Sequence, residues 1–118
     1  MQRSDVMIGD LYVSPTGRFC YVTMCDFPND KAWWADCKPV PVSVTMITSL
    51  GFKVMKGGDD RFTCYKLKAF YLIHDSSDDK FFFSDSNIEV EYAHQLQQLL
   101  RLAGEKGLAQ QLSDSYVG

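Results

Sequence analysis

Tyr92-Ala93-His94-Gln95-Leu96-Gln97-Gln98-Leu99-Leu100-Arg101-Leu102-Ala103-Gly104 is the stretch whose reading decides the fold. Tyr92, Leu96, Leu99, Leu100 and Ala103 recur at helical spacing and form one apolar stripe. His94, Gln97, Gln98 and Arg101 form the polar stripe opposite. Gly104 suits the left-handed residue that follows a helix end. The pattern predicts a helix over about 92–103 that buries its apolar face against other structure.

Working outward, the chain before residue 93 holds most of the aromatics, whose share of 14% is high. Aromatic and β-branched residues fit a pleated, half-buried surface, so this part is expected to be sheet-rich. Met7 to Val13 reads as a strand in which Gly9 marks a bulge or a close backbone approach. Ser14-Pro15-Thr16-Gly17 is a turn. Arg18 to Cys25 alternates as a second strand, buried on much of both faces, and the two form a hairpin. Lys31 to Cys37 reads as a strand carrying Trp33-Trp34, which would point to opposite faces. Phe52 to Met55, Arg61 to Leu67, Ala69 to Asp75 and Lys80 to Ser84 read as further strands. Lys56 to Asp60 and Asp75 to Asp79 read as polar turns. Ile88 to Glu91 is read as strand rather than the start of the helix. Leu108 and Leu112 suggest one more helical turn before a frayed end.

Between Pro41 and Phe52 the signals for a short helix are complete. Ser43 can cap its start, Val42 and Ile47 make a hydrophobic staple, and Gly51 and Phe52 allow a Schellman ending. The sum is an α+β domain. A mostly antiparallel sheet of six to seven strands carries a short helix (about 44–50) and the C-terminal helix (about 92–103). A single domain is expected over 1–112, with 113–118 as a frayed tail.

The chain has 118 residues, a net charge of −3 and 46% apolar residues. This is an ordinary globular composition, and the acidic balance disfavours nucleic acid and anionic lipid. No apolar run is long enough to span a bilayer, and the N-terminal residues have no signal-peptide pattern, so a cytoplasmic protein is expected. Cys20, Cys25, Cys37 and Cys64 show no C-x-x-C spacing. They are read as free structural thiols, with Cys20 and Cys64 packed in strands, and no metal or cofactor is expected.

Two segments carry a resemblance. Pro39-Val40-Pro41-Val42-Ser43-Val44-Thr45-Met46-Ile47-Thr48-Ser49-Leu50-Gly51-Phe52 and the closing helix, with its His94-Gln95-Leu96-Gln97 core, resemble segments of small uncharacterised proteins from gut Bacteroidetes and their phages and integrated elements. The Ile8-Gly9-Asp10 opening fits as well. The helix departs from that group after Gln98, where the group tends to carry aromatics. The resemblance implies a phage-linked or mobile-element origin and an accessory role. It carries over no catalytic or binding residue.

The candidate sites follow from the residues themselves. His94, Gln97, Gln98 and Arg101 could form a recognition face. They could also be a solvated helix face, with Gln chosen for helix propensity, and a third reading is that His94 or Gln95 bonds a nearby backbone carbonyl and fixes the helix on the sheet. Trp33 and Trp34 are partner-binding candidates, because one of two adjacent strand residues must face away from the core. Cys64 and His74 are the only handles for an enzyme, and His74-Asp75 is no dyad on a strand. Aromatics such as Phe19, Tyr21, Phe70, Tyr71 and Phe81 to Phe83 could stack bases, but core packing or a protein-binding patch explains them better in an acidic chain. The expected function is a non-enzymatic protein-binding accessory module, engaging a protein partner or a second copy. The alternatives are a nucleic-acid-associated accessory protein and a small enzyme using Cys64 or His74.

Overall fold

In a computed structural model, residues 1–55, 60–83 and 88–117 are described. Their contacts divide the chain into two compact units: Met1–Pro41 with Tyr92–Gly118, and Val42–Glu91 between them in sequence.

The first unit is built on a hairpin. Strands β1 (Leu11–Val13) and β2 (Phe19–Tyr21) pair antiparallel, with Leu11 opposite Tyr21, Tyr12 opposite Cys20 and Val13 opposite Phe19. Gly17 closes the turn, as expected. Its φ is +85°, and its N–H reaches Ser14 O at 2.9 Å. Both strands are shorter than the sequence pattern implies, because an aspartate turn ends each. Asp10 accepts the Met7 N–H at 2.8 Å, and Asp26 accepts the Thr23 N–H at 2.7 Å.

Lys31–Asp36 is a helix, α1, and not the expected strand. Asp30 caps it by accepting the Trp33 N–H at 2.9 Å, and no residue of the helix is β-branched. An N-cap followed by two alanines outweighed the strand preference of the tryptophan pair. Tyr12, Val22, Trp34 and Cys37 pack together on one face of the hairpin, with Cys20 and Trp33 partly buried against them.

Leu11 lies on the other face, toward α3 (Ala93–Leu102) and α4 (Lys106–Tyr116). Tyr92 precedes α3, and its N–H is bonded to Gln95 Oε1 at 3.0 Å. The helix ends at Gly104, whose φ is +84°, with Glu105 N–H returning to Leu100 O at 2.8 Å. Leu96 and Leu100 are fully buried, whereas Leu99 is half-buried and Ala103 exposed. Helix α4 is a correction to the reading of one turn and a tail frayed from residue 113. It runs eleven residues, to Tyr116, and buries Ala109, Leu112 and Ser113.

The second unit opens with α2 (Val44–Ser49). Ser43 Oγ accepts the Met46 N–H at 3.1 Å. At the other end Gly51 adopts φ +106°, and Phe52 N–H reaches Ile47 O at 3.2 Å. The helix has the caps predicted for it. Strands β3 (Lys53–Val54), β4 (Phe62–Leu67), β5 (Phe70–Asp75) and β6 (Lys80–Phe83) form a four-stranded antiparallel sheet in sequence order.

Tyr65, Phe70, Leu72 and Phe81 lie buried on one sheet face, where Phe52 meets Phe70 edge-on at 5.8 Å. Ile88 to Val90 runs along β6 and, among the described residues, makes the single bridge Phe82–Glu89, less than the strand expected there. Residues 56–59 of the expected turn from Lys56 to Asp60, and the expected strand end at Ser84, lie outside the described residues. The α+β class therefore holds, with the six strands divided between sheets of two and four.

Candidate functional site

The polar stripe of α3 points inward. Gln97 is fully buried, with Oε1 accepting the Leu11 N–H at 2.7 Å. Its Nε2 lies 2.9 Å from Ala109 O, 2.7 Å from Ser113 Oγ and 3.3 Å from Gly9 O. Gln98 donates to Asp10 Oδ2 at 2.8 Å and to Asp5 O at 2.9 Å. Arg101 pairs with Asp10, whose carboxylate is completely buried. A buried carboxylate is tolerable only when its oxygens are taken up, and here Arg101, Gln98 and the Met7 N–H do so.

Gly9 is needed at this point, because its φ is +92° and a Cβ there would come within 3.1 Å of Arg101 Nη2. Gln97 and Gln98 bond the backbone of residues 5–11 and of α4, and Arg101 holds the Asp10 side chain, so the stripe is not a solvated face. The backbone bonds come from Gln97 and Gln98, whereas the expectation placed them on His94 or Gln95. Only Gln98 and Arg101 keep partial exposure.

His94 is also buried, stacked on Tyr92 with ring centroids 5.8 Å apart and planes 11° from parallel. Its Nδ1 has no hydrogen-bond partner. Burial pushes its pKa below the ordinary histidine value, against the opposing pull of Asp10 and Asp5.

Trp33 and Trp34 meet edge-on at 5.0 Å, and on a helix they are not forced to opposite sides. Trp34 is buried, while Trp33 is half-buried against Tyr12 at 5.9 Å. Neither stands free as the strand reading required.

In the second unit Cys64 lies opposite Ile73, and His74 opposite Thr63. Cys64 and His74 therefore point to opposite faces of the sheet and cannot act as a pair. His74 Nε2 lies 2.8 Å from Asp79 Oδ1, across the turn into β6. Arg61 forks onto the neighbouring Asp75 and holds its carboxyl below the usual carboxylate range. All four cysteines are free thiols. Cys37 is the buried one, with its pKa pushed up to about 11 by desolvation, while Cys20 and Cys64 are half-buried and Cys25 is exposed. Among the described residues no cluster of His, Cys, Asp or Glu has metal-binding geometry, and no helix is long and apolar enough to cross a membrane.

The feature that sequence reasoning missed is the outer edge of β2. Leu11 N–H goes to Gln97, and Val13 exchanges both backbone bonds with Lys38, at 2.8 and 2.9 Å. Leu11 and Val13 thus direct their backbone polar groups away from β2. Residues directly opposite in an antiparallel ladder share this orientation, so Tyr21 and Phe19 turn theirs outward from the hairpin. No strand covers that side among the described residues.

The side chains along it are apolar and exposed: Phe19 by 45%, Tyr21 by 40% and Met24 by 73%. Gly9 N–H to Val22 O at 2.8 Å brings the exposed Met7 and Ile8 beside the same segment. The sequence placed Phe19 and Tyr21 on one strand face. The register that frees their backbone depends on contacts from residue 97, far along the chain.

No family model, curated protein or solved structure matches this sequence.

Proposed function

We propose that this chain is a non-enzymatic protein-binding module that receives an extended segment of a partner along the outer edge of β2. The observation that carries the reading is the pair of outward-facing backbones at Phe19 and Tyr21. Two residues spaced i and i+2 offer two N–H and two C=O groups to an added strand, and their exposed rings offer apolar contact to its side chains. Folded proteins blunt bare edges with charge or proline. The edge strand β3 carries Lys53, whereas the three residues of β2 include neither charge nor proline. The resemblance to small proteins of gut Bacteroidetes and their phages supports an accessory role of this kind.

The test is Tyr21→Pro. Proline is tolerated on an edge where the N–H faces outward, so the variant keeps the wild-type melting temperature but loses one ladder donor and presents a ring to the incoming strand. Tagged wild-type protein captures a partner that Tyr21→Pro releases, and the Phe19 and Tyr21 amides, fast to exchange in the free monomer, become protected in the complex. Protection that rises instead with protein concentration alone identifies a second copy as the occupant. Amides already protected in the dilute monomer would overturn the reading.

A further inference from the structure

The open edge of β2 is self-complementary. Phe19 and Tyr21 each turn an N–H and a C=O outward, and Cys20 between them directs its own to Tyr12 of β1. Two copies laid antiparallel about a two-fold axis at Cys20 set Phe19 of each opposite Tyr21 of the other. Residues opposite one another at these positions exchange both backbone bonds, so every outward group of the two strands is paired. Neighbouring registers lose donors. An axis at Tyr21 sets Phe19 against Thr23, whose N–H is held by Asp26 at 2.7 Å. An axis at Phe19 sets Tyr21 against Gly17, whose N–H is held by Ser14 O at 2.9 Å. Charge agrees with this arrangement. Two copies of a chain with net charge −3 repel one another, but residues 19–25 carry no charge. Antiparallel pairing also brings the Arg18 end of each strand beside the other copy's turn at Asp26, with unlike charges at both ends.

We infer that the occupant of the β2 edge is a second copy of this chain, paired antiparallel about Cys20 into one continuous sheet. This assignment rests on the open-edge reading and adds the strand that fills the edge and its register. The rings of Phe19 and Tyr21, on one face of β2, then form cross-strand aromatic pairs between the copies. The sheet cannot grow further, because the outer side of β1 is taken by Gln97 and by the Val13–Lys38 bridge. The assembly therefore closes as a dimer and does not extend into a filament.

The experiment follows the full chain by sedimentation equilibrium from about 10 μM to about 1 mM, with amide exchange of Phe19 and Tyr21 read at both ends of the range. A monomer–dimer equilibrium with no larger species is expected, and the two amides gain protection as the dimer forms. Phe19→Lys/Tyr21→Lys sets like charges opposite one another in both pairs and should weaken the dimer by about tenfold or more. Phe19→Glu/Tyr21→Lys replaces the same two rings but sets unlike charges opposite. It should dimerise about tenfold or more tighter than the like-charged variant, an advantage that shrinks in about 1 M salt. Both side chains are partly exposed, so the variants keep the wild-type fold, which circular dichroism checks. Tyr21→Pro removes one ladder donor without adding charge and should weaken the dimer as well. A chain that stays monomeric at about 1 mM with both amides exchanging fast overturns the second copy and leaves the open edge standing. Amides already protected in the dilute monomer overturn both. Equal dimerisation of the two charged variants overturns the register.

Discussion

Gln97 Oε1 accepts the backbone N–H of Leu11 across 86 residues of sequence, at 2.7 Å and out of reach of water. This bond joins α3 to the outer side of β1, while the Nε2 of the same amide holds α4 through Ala109 O and Ser113 Oγ. One side chain thus ties two elements together, and without it the Leu11 N–H would be buried with no partner.

Replacing Gln97 with leucine keeps the bulk and removes every one of these bonds. A buried group left without a partner costs about 1–3 kcal/mol, so Gln97→Leu, which orphans the Leu11 N–H, should destabilise the protein by about that much in a urea melt. A loss under about 1 kcal/mol would show that water takes over the amide's role.

The apolar side of α3 makes a separate prediction. Leu96 is fully buried and Leu99 only half-buried. Leu96→Ala should cost about 2–5 kcal/mol, as other buried leucine truncations do, and Leu99→Ala clearly less. Equal losses in matched denaturant melts would contradict the burial seen here.

The two tryptophans should part company in the same assay. Trp34→Ala removes a buried ring from the cluster of Tyr12, Val22 and Cys37 and should cost about 3–5 kcal/mol. Trp33→Ala removes a half-buried ring and should cost less. A large loss from both variants would mean that the Trp33 ring is as firmly held as its neighbour.

His94 predicts a pH dependence. The folded state holds its pKa below the ordinary value, so the unfolded chain binds the proton more readily. Stability from this group is therefore complete above the ordinary histidine pKa of about 6.5 and falls as pH drops from there toward the folded-state pKa. The slope cannot exceed about 1.4 kcal/mol per pH unit. Melts of wild type and His94→Asn between pH 5 and 7.5 isolate it, since Asp5, Asp10 and the N-terminus, which face the ring, are common to both. Parallel stability curves for the two proteins would show that His94 titrates normally.

How far the sequence carried depended on whether the signal was local. Ser43, Gly51 and Phe52 determine α2 through contacts within ten residues, and the predicted caps are present. The Gly17 turn is equally local. Trp33-Trp34 favours strands in general, yet Lys31–Asp36 is a helix because Asp30, just outside the segment, caps it. In α3 the helical period separated an apolar from a polar stripe correctly. It could not show that the polar stripe is covered too, because the groups that cover it, Gly9, Asp10 and Ser113, lie on distant segments. For the same reason Phe19 and Tyr21 were visible as strand residues but not as an open edge.

The stretch between Pro41 and Tyr92 begins and ends at nearly the same place. Pro41 and Tyr92 form an antiparallel bridge, and one residue further in, Val42 N–H donates to Glu91 O at 3.0 Å. A segment with adjacent ends can be removed, lengthened or exchanged by recombination without pulling apart the residues on either side. A two-residue type I′ turn, such as Asn-Gly, joined directly between Pro41 and Tyr92 would close the remaining chain as a hairpin. The neck is therefore a grafting point, at which the stretch between Pro41 and Tyr92 can be exchanged for another with adjacent ends.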